Sequence, residues 1–254
     1  MLEQVGLLQR LERWLAYGPR PGLQRPRPVV VGTAADHVAA VAAQVQTELI
    51  MLPAADTQTG EALVDREVDS GCDLLLLAAP DGAAVPATIG IAAFAGEEPV
   101  RALGFDATLA DDEWVRRAVA VRDGLRRIDL VGDRAAALAS LGDPALATAT
   151  GIVAQAAQRR TPIVLDGLTA LAAAVLVAHF GELDPQRCLI ASADRRPAAG
   201  MAARVLGLVP VMDLGWPSGD GLAALLTLPL LHAAQLAPSR DDHGVTPGLT
   251  RQDP

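Results

Sequence analysis

The 254-residue chain has no lysine; its 21 basic residues are all arginine. That absence removes chemistry that needs an ε-amino group: Schiff bases, a lysine-anchored pyridoxal cofactor and the phosphate-binding lysine of a P-loop. Aromatic residues are nearly as scarce, at 3% against 51% hydrophobic residues. The core must then be built from Ala, Leu and Val, which let helices approach a sheet closely. There are two cysteines, Cys72 and Cys188, both in apolar, strand-like surroundings. Without CxxC or mixed Cys/His spacing they read as buried thiols, and neither a metal nor a cofactor is expected. No apolar run reaches the roughly 20 residues that span a bilayer. The opening MLEQVGLLQRLERW mixes charge with leucine and lacks a signal-peptide core. A cytoplasmic protein with no membrane partner is the expectation. Thirty acidic residues give a net charge of −9, and without a concentrated basic face this argues against a nucleic-acid partner.

Charge and leucine alternate at helical spacing over residues 2–16, which predicts an amphipathic helix, closed by a proline-rich stretch at 19–28. A strand at 28–32 then leads into an Ala/Val helix at 36–46. Strands at 48–52 and 73–79 flank a helix at 60–70, and the four leucines at 74–77 imply a strand covered on both faces. A helical middle follows. The segment 161–167 is the clearest strand-to-loop signal, and it precedes an almost wholly apolar helix at 168–179. Strand positions at 187–193 and 209–214 and helices at 197–206 and 219–235 complete the pattern. The alternation predicts a doubly wound α/β fold, a mostly parallel sheet of about six strands with helices on both faces. The expected division is an N-terminal helix and linker (1–27), a Rossmann-like domain (28–237) and a loose tail (238–254).

Ligands of such sheets sit at the carboxyl ends of the strands, which directs attention to the loops after Val31, Ala79, Leu165, Ala193 and Leu214. The third-strand loop holds Asp81 and Gly82 among small residues, an arrangement that can offer backbone N–H groups to a phosphate, although Pro80 and Pro86 remove two donors. Gly219, Asp220 and Gly221 form part of a G-x-G-x-x-A string, but no strand follows to complete a dinucleotide-binding βαβ unit. There the glycines either allow close approach to a ligand with Asp220 as a working carboxylate, or Asp220 caps the following helix. Asp166, at a strand end, either receives a polar ligand group or caps helix 168–179. Asp36 and His37 are adjacent and so do not face one another on a helix. His232 reads as a packing residue. HExxH and G-x-S-x-G are both absent, leaving zinc peptidase and hydrolase readings unsupported.

Three stretches in order, TPIVLDGLTALAAA (161–174), LIAS (189–192) and MDLGWPSGDG (212–221), resemble the C-terminal half of nicotinate-nucleotide–dimethylbenzimidazole phosphoribosyltransferases. The family patterns there run approximately RxPVVLDGFxxxAAALLA, LIASHxSAEPGH and LLDLGxxLGEGxGA. Upstream, ADH at 35–37 is similar to the family's DHGV, and residues 109–121 to its DDExxxRKxxVV helix. Several positions depart from the pattern. The family loop GEMGIGNTT is APDGAAVPA here (79–87), the glutamate of GEG is Asp220, the Ser-His step is Ser192-Ala193, and the lysine of RKxxVV is Arg117. The segment between the first and third strands is also shorter than the family's.

The resemblance implies transfer of phosphoribose from nicotinate mononucleotide to a benzimidazole base, giving α-ribazole phosphate for cobalamin. Asp220 would be the general base, with Asp36, Asp81, Gly82, Asp166, Ser192, Gly219 and Gly221 lining the substrate site of a homodimer. The altered glycine loop keeps a second possibility open, a non-catalytic relative serving as a ligand-binding or partner subunit.

Overall fold

The computed structural model describes residues 6–17, 23–80, 84–106, 108–129, 132–215 and 219–236. Its centre is a parallel sheet of five strands among these residues: β1 (Pro26–Val31), β2 (Ile50–Leu52), β3 (Leu74–Ala78), β4 (Ile163–Asp166) and β5 (Cys188–Ile190), in the order β2-β1-β3-β4-β5. The four-leucine run does what its composition predicts. Leu75 and Leu77 enter one core cluster while Leu74 and Leu76 enter the other, so successive side chains serve opposite faces. β4 divides in the same way, with Ile163 and Leu165 on one face and Val164 on the other.

One face is covered by α1 (Leu7–Tyr17), α2 (Asp36–Gln44) and α11 (Leu222–Leu236). The N-terminal helix is held there by Leu11, which is fully buried, and it lies against α11. The opposite face carries α3 (Thr57–Asp69), α4 (Val85–Ala95), α8 (Pro144–Gln158), α9 (Leu168–His179) and α10 (Pro197–Leu206). Three further helices, α5 (Pro99–Leu103), α6 (Asp111–Arg127) and α7 (Arg134–Leu141), belong to the long insertion between β3 and β4. In α9 every residue from Leu168 to Val177 is buried, as an all-apolar helix requires, with α8 on one side, α4 and α10 on the other, and the sheet beneath.

The sixth strand position is reduced to a single parallel bridge between Ser192 and Met212. Three backbone bonds make it: Val211 N–H to Ile190 O (2.8 Å), Met212 N–H to Ala191 O (3.2 Å) and Ala193 N–H to Met212 O (2.8 Å). Pro210 has no N–H to extend the ladder backward. Ahead of it, the Asp213 carboxylate accepts the Gly215 N–H at 2.9 Å and turns the chain away. The strand expected at 48–52 is likewise only three residues long. The expected N-terminal helix begins at Leu7, and residues 238–254 of the tail lie outside the described residues.

Small residues set the helix spacing where aromatics would have propped it open. α3 and α8 meet at Gly60 and Gly151: a Cβ on Gly60 would strike the Thr148 carbonyl oxygen and stand 2.8 Å from Ile152 N. A Cβ on Gly151 would strike the Thr57 carbonyl oxygen and stand 2.8 Å from Thr57 Cα. The obstacle in each case is backbone, which cannot rotate aside. Gly151→Ala should therefore destabilise the fold by about 1–3 kcal/mol despite its better helix propensity, read as a lowered denaturant midpoint. An unchanged or raised midpoint would show that the helix pair separates freely.

Candidate functional site

Strand order 2-1-3-4-5 reverses direction between β1 and β3, and the loops leaving these two strands depart to opposite faces. A crevice opens at such a point. In register, Val30 of β1 pairs with Ala78 of β3, which pairs with Asp166 of β4, giving a row across the carboxyl end of the sheet. The first turn of α11 lies on this row. A Cβ at Gly221 would be 3.3 Å from Val30 Cγ2, 3.4 Å from Val38 Cγ1 and 3.5 Å from Ala78 Cβ. Gly221 also has φ +101°, and Gly219 has φ +129°, both in the region that favours glycine. The two glycines thus lower the turn between them onto the ends of β1 and β3.

Asp220 sits between those glycines and uses both oxygens. Oδ1 accepts the Leu222 N–H at 2.9 Å, at the start of α11, and Oδ2 stands 3.1 Å from Nε2 of His37. Both alternatives read for Asp220 from the sequence are therefore compatible with its geometry: one oxygen tethers the helix start, while the other faces a partner across the crevice. Sequence reasoning weighed His37 only against its neighbour Asp36 and missed its pairing with Asp220. His37 sits in the first turn of α2, 183 positions from Asp220. The signal that it belonged to the site was its place at the start of the helix that follows β1; no local spacing could have paired it.

Asp36 heads α2 and is exposed; its side chain makes no cap hydrogen bond, and the N-cap is Ala35. Asp166 is fully buried, and its Oδ2 accepts the Ala224 N–H of α11 at 3.1 Å. It therefore serves a helix start, but that of α11, whereas helix 168–179 begins at Gly167 with no side-chain cap. Ser192, 2% exposed, donates to Ala193 O at 3.2 Å and accepts the Leu214 N–H at 3.3 Å, joining the end of β5 to the segment that leads to the Asp220 turn. Next to it, the solvent-inaccessible Asp194 carboxylate is gripped by Arg196 through Nε at 3.0 Å to each oxygen and Nη2 at 2.5 Å. That planar fork fixes the loop after β5. Asp81 and Gly82 lie outside the described residues, which resume at Ala84, a left-handed residue (φ +53°) at the start of α4.

A carboxylate and an imidazole facing each other at the carboxyl ends of β1 and β3 can accept and hold a proton, which is what acid–base chemistry requires. Among the described residues no three His, Cys, Asp or Glu side chains gather into a metal-binding group, and no helix is long and apolar enough to cross a membrane. The arrangement defines a doubly wound α/β protein with a carboxylate–imidazole pair at its topological switch point.

Comparison with known proteins narrows that class. A phosphoribosyltransferase family model matches residues 35–239. Nicotinate-nucleotide–dimethylbenzimidazole phosphoribosyltransferase of Mycobacterium avium (strain 104) is 40% identical over 183 residues, 70% of this chain and 52% of that protein. The enzyme of the same name from Mycobacterium ulcerans (strain Agy99) is 37% identical over 186 residues, 72% of this chain and 52% of that protein. Two solved structures from Thermus thermophilus share the fold. CobT superposes with a TM-score of 0.77 at 20% identity, covering 90% of this chain and 87% of that one. The nicotinate-nucleotide–dimethylbenzimidazole phosphoribosyltransferase superposes with a TM-score of 0.79 at 19% identity, covering 92% and 90%. The chain belongs to the nicotinate-nucleotide–dimethylbenzimidazole phosphoribosyltransferase family, and it spans about half the length of the curated relatives it matches.

Neither thiol is placed for chemistry. Burial pushes Cys72 and Cys188 up to about 12, and the Cys72 Sγ–H is spent on the Leu74 carbonyl at 3.3 Å. Thiolate is the reactive form. A disulfide reagent at pH 8 should therefore leave the native chain untouched and modify two thiols after denaturation. Because the folded values lie above the ordinary one, each thiol's contribution to stability is complete below about pH 8.5. It falls by about 1.4 kcal/mol per pH unit as the pH rises toward 12. Rapid labelling of the native protein would contradict the burial of both.

Proposed function

We propose that the chain transfers phosphoribose from nicotinate mononucleotide to a benzimidazole-type base, forming the α-ribazole phosphate of cobalamin biosynthesis. The observation that carries this reading is the Gly219–Gly221 turn, held on the ends of β1 and β3 with Asp220 opposite His37 in a member of this family. In the reaction a ring nitrogen of the base uses its lone pair to form the bond to C1′ of the ribose. The C1′–pyridinium bond breaks, and its electron pair stays on the pyridine nitrogen of the departing nicotinate. The proton on the other azole nitrogen must then leave, and Asp220 supplies the basic centre that draws it. No covalent intermediate with the protein is needed. Positioning therefore carries much of the rate, as it does where two reactants are held in near-attack geometry.

The substrate-lining roles given to Asp36, Asp81, Gly82, Ser192, Gly219 and Gly221 belong to this reading. Asp166 acts one step back, by fixing the turn that presents Asp220. Aspartate in place of the family's glutamate shortens the reach by about 1.5 Å, one carbon–carbon bond. A cytoplasmic location goes with the reading, since a phosphorylated nucleotide does not cross a bilayer unaided. The test is nicotinate release from purified protein given nicotinate mononucleotide and dimethylbenzimidazole. Wild-type turnover that falls at least about 10²-fold in Asp220→Ala supports the transferase. Ligand binding without release would support the partner-subunit alternative, which the single-glycine loop at 79–87 favours.

We place a homodimer contact on the shoulder formed by α5 and α6. Val115 and Val119, one turn apart on α6, are exposed, as are Val100 on α5 and, at 84%, Phe105 just beyond it. Light scattering should give twice the chain mass for the wild type and a single chain mass for Val119→Glu. A monomeric wild type would remove this assignment.

A further inference from the structure

We propose that the basic centre works as a dyad, in which His37 Nδ1 receives the azole proton and Asp220 holds the ring from behind. The inference rests on the transfer reaction above and names the group that touches its substrate. Both Asp220 oxygens are already engaged, Oδ1 by the Leu222 N–H at 2.9 Å and Oδ2 by His37 Nε2 at 3.1 Å. A carboxylate that accepts from Nε2 selects the tautomer with its hydrogen there, and Nδ1 keeps its lone pair. Among the described residues Nδ1 makes no hydrogen bond. The imidazole is also the more open member of the pair, with its side chain 57% exposed against 39% for Asp220.

Placement agrees with this order of contact. His37 enters from the first turn of α2, which follows β1, and Asp220 from the turn seated on the ends of β1 and β3. An approaching azole at the crevice meets the ring first. The titratable neighbours are few: Asp36 precedes His37 on α2, Asp166 of β4 lies buried against the first turn of α11, and the described part of α11 carries only His232, well along the helix.

The proton balance is complete without another reactant. As the C1′–N bond to the base forms and the bond to nicotinate breaks, the azole N–H proton moves to Nδ1. The imidazolium so formed is paired with the Asp220 carboxylate, which stays ionised. The proton then passes to water, and the neutral tautomer is restored by the same hydrogen bond to Oδ2.

His37→Gln separates this role from mere support, because glutamine can still donate to Asp220 but has no basic nitrogen. For a dyad, His37→Gln and His37→Ala both lose about 10²–10⁴ in kcat, with KM for nicotinate mononucleotide changed by less than about 3-fold. The His37→Ala/Asp220→Ala double variant should be no slower than the worse single variant, since groups that act as a unit are not additive. Imidazole ¹⁵N spectra of the full chain, with the His37 signal assigned by its loss in His37→Gln, should show the proton on Nε2. Thermal melting of each variant checks that it is folded. His37→Gln turnover within about 3-fold of wild type, or a His37 ring protonated on Nδ1 instead, overturns the dyad alone. A wild-type chain that releases no nicotinate overturns the transfer reading as well.

Discussion

A carboxylate withdrawn from solvent, Asp166, holds the site together. It ends the buried strand β4 and accepts the Ala224 N–H in the first turn of α11. Burying an ionisable group is tolerated only where hydrogen bonds compensate it, and a helix N-terminus offers unpaired donors and a favourable dipole. Because Asp166 is in register with Ala78, and Ala78 with Val30, fixing α11 to β4 also fixes the Gly219–Gly221 turn over the neighbouring strands. Asp220 then has little freedom left, with one oxygen on Leu222 and the other on His37. Fold and chemistry are joined at this row of three strand ends.

Around it, the loops are stiffened by local devices rather than by large side chains. The Arg196 fork grips Asp194, and the Ser192 hydroxyl links the end of β5 to Leu214. Arginine suits the first task because its planar guanidinium meets a carboxylate with two parallel bonds, which an ammonium cannot do. A chain without lysine loses nothing there. The helix α4 opens with Val85 and Pro86, and the proline has no N–H, so its first turn offers one backbone donor fewer.

Much of the fold was legible because its signals are local. Leu74 to Leu77 have no polar break, and a strand buried on both faces is the arrangement that accommodates them. The 161–167 segment and the apolar helix after it came from the same kind of evidence. The reduced sixth strand was not legible, since it depends on Pro210 lacking a donor and on the Asp213 carboxylate turning the chain, details that an alternating pattern does not carry. The site was legible in its acids and glycines, which stand in a short motif. His37 was not, because its meaning comes from a residue 183 positions away that only the sheet topology brings alongside.

The meeting of α1 with α11 has a kinetic side. These are the first and last described helices, and together with α2 they seal one face of the sheet. During synthesis the face bearing Leu74 and Leu76 has only α1 and α2 to cover it until α11 emerges, whereas the opposite layer already has α3, α4, α8 and α9. The same late event seats the turn that carries Asp220. A nascent chain therefore brings Asp220 against His37 only as α11 settles over Leu74 and Leu76, so the pairing of the two side chains and protection from aggregation arrive together.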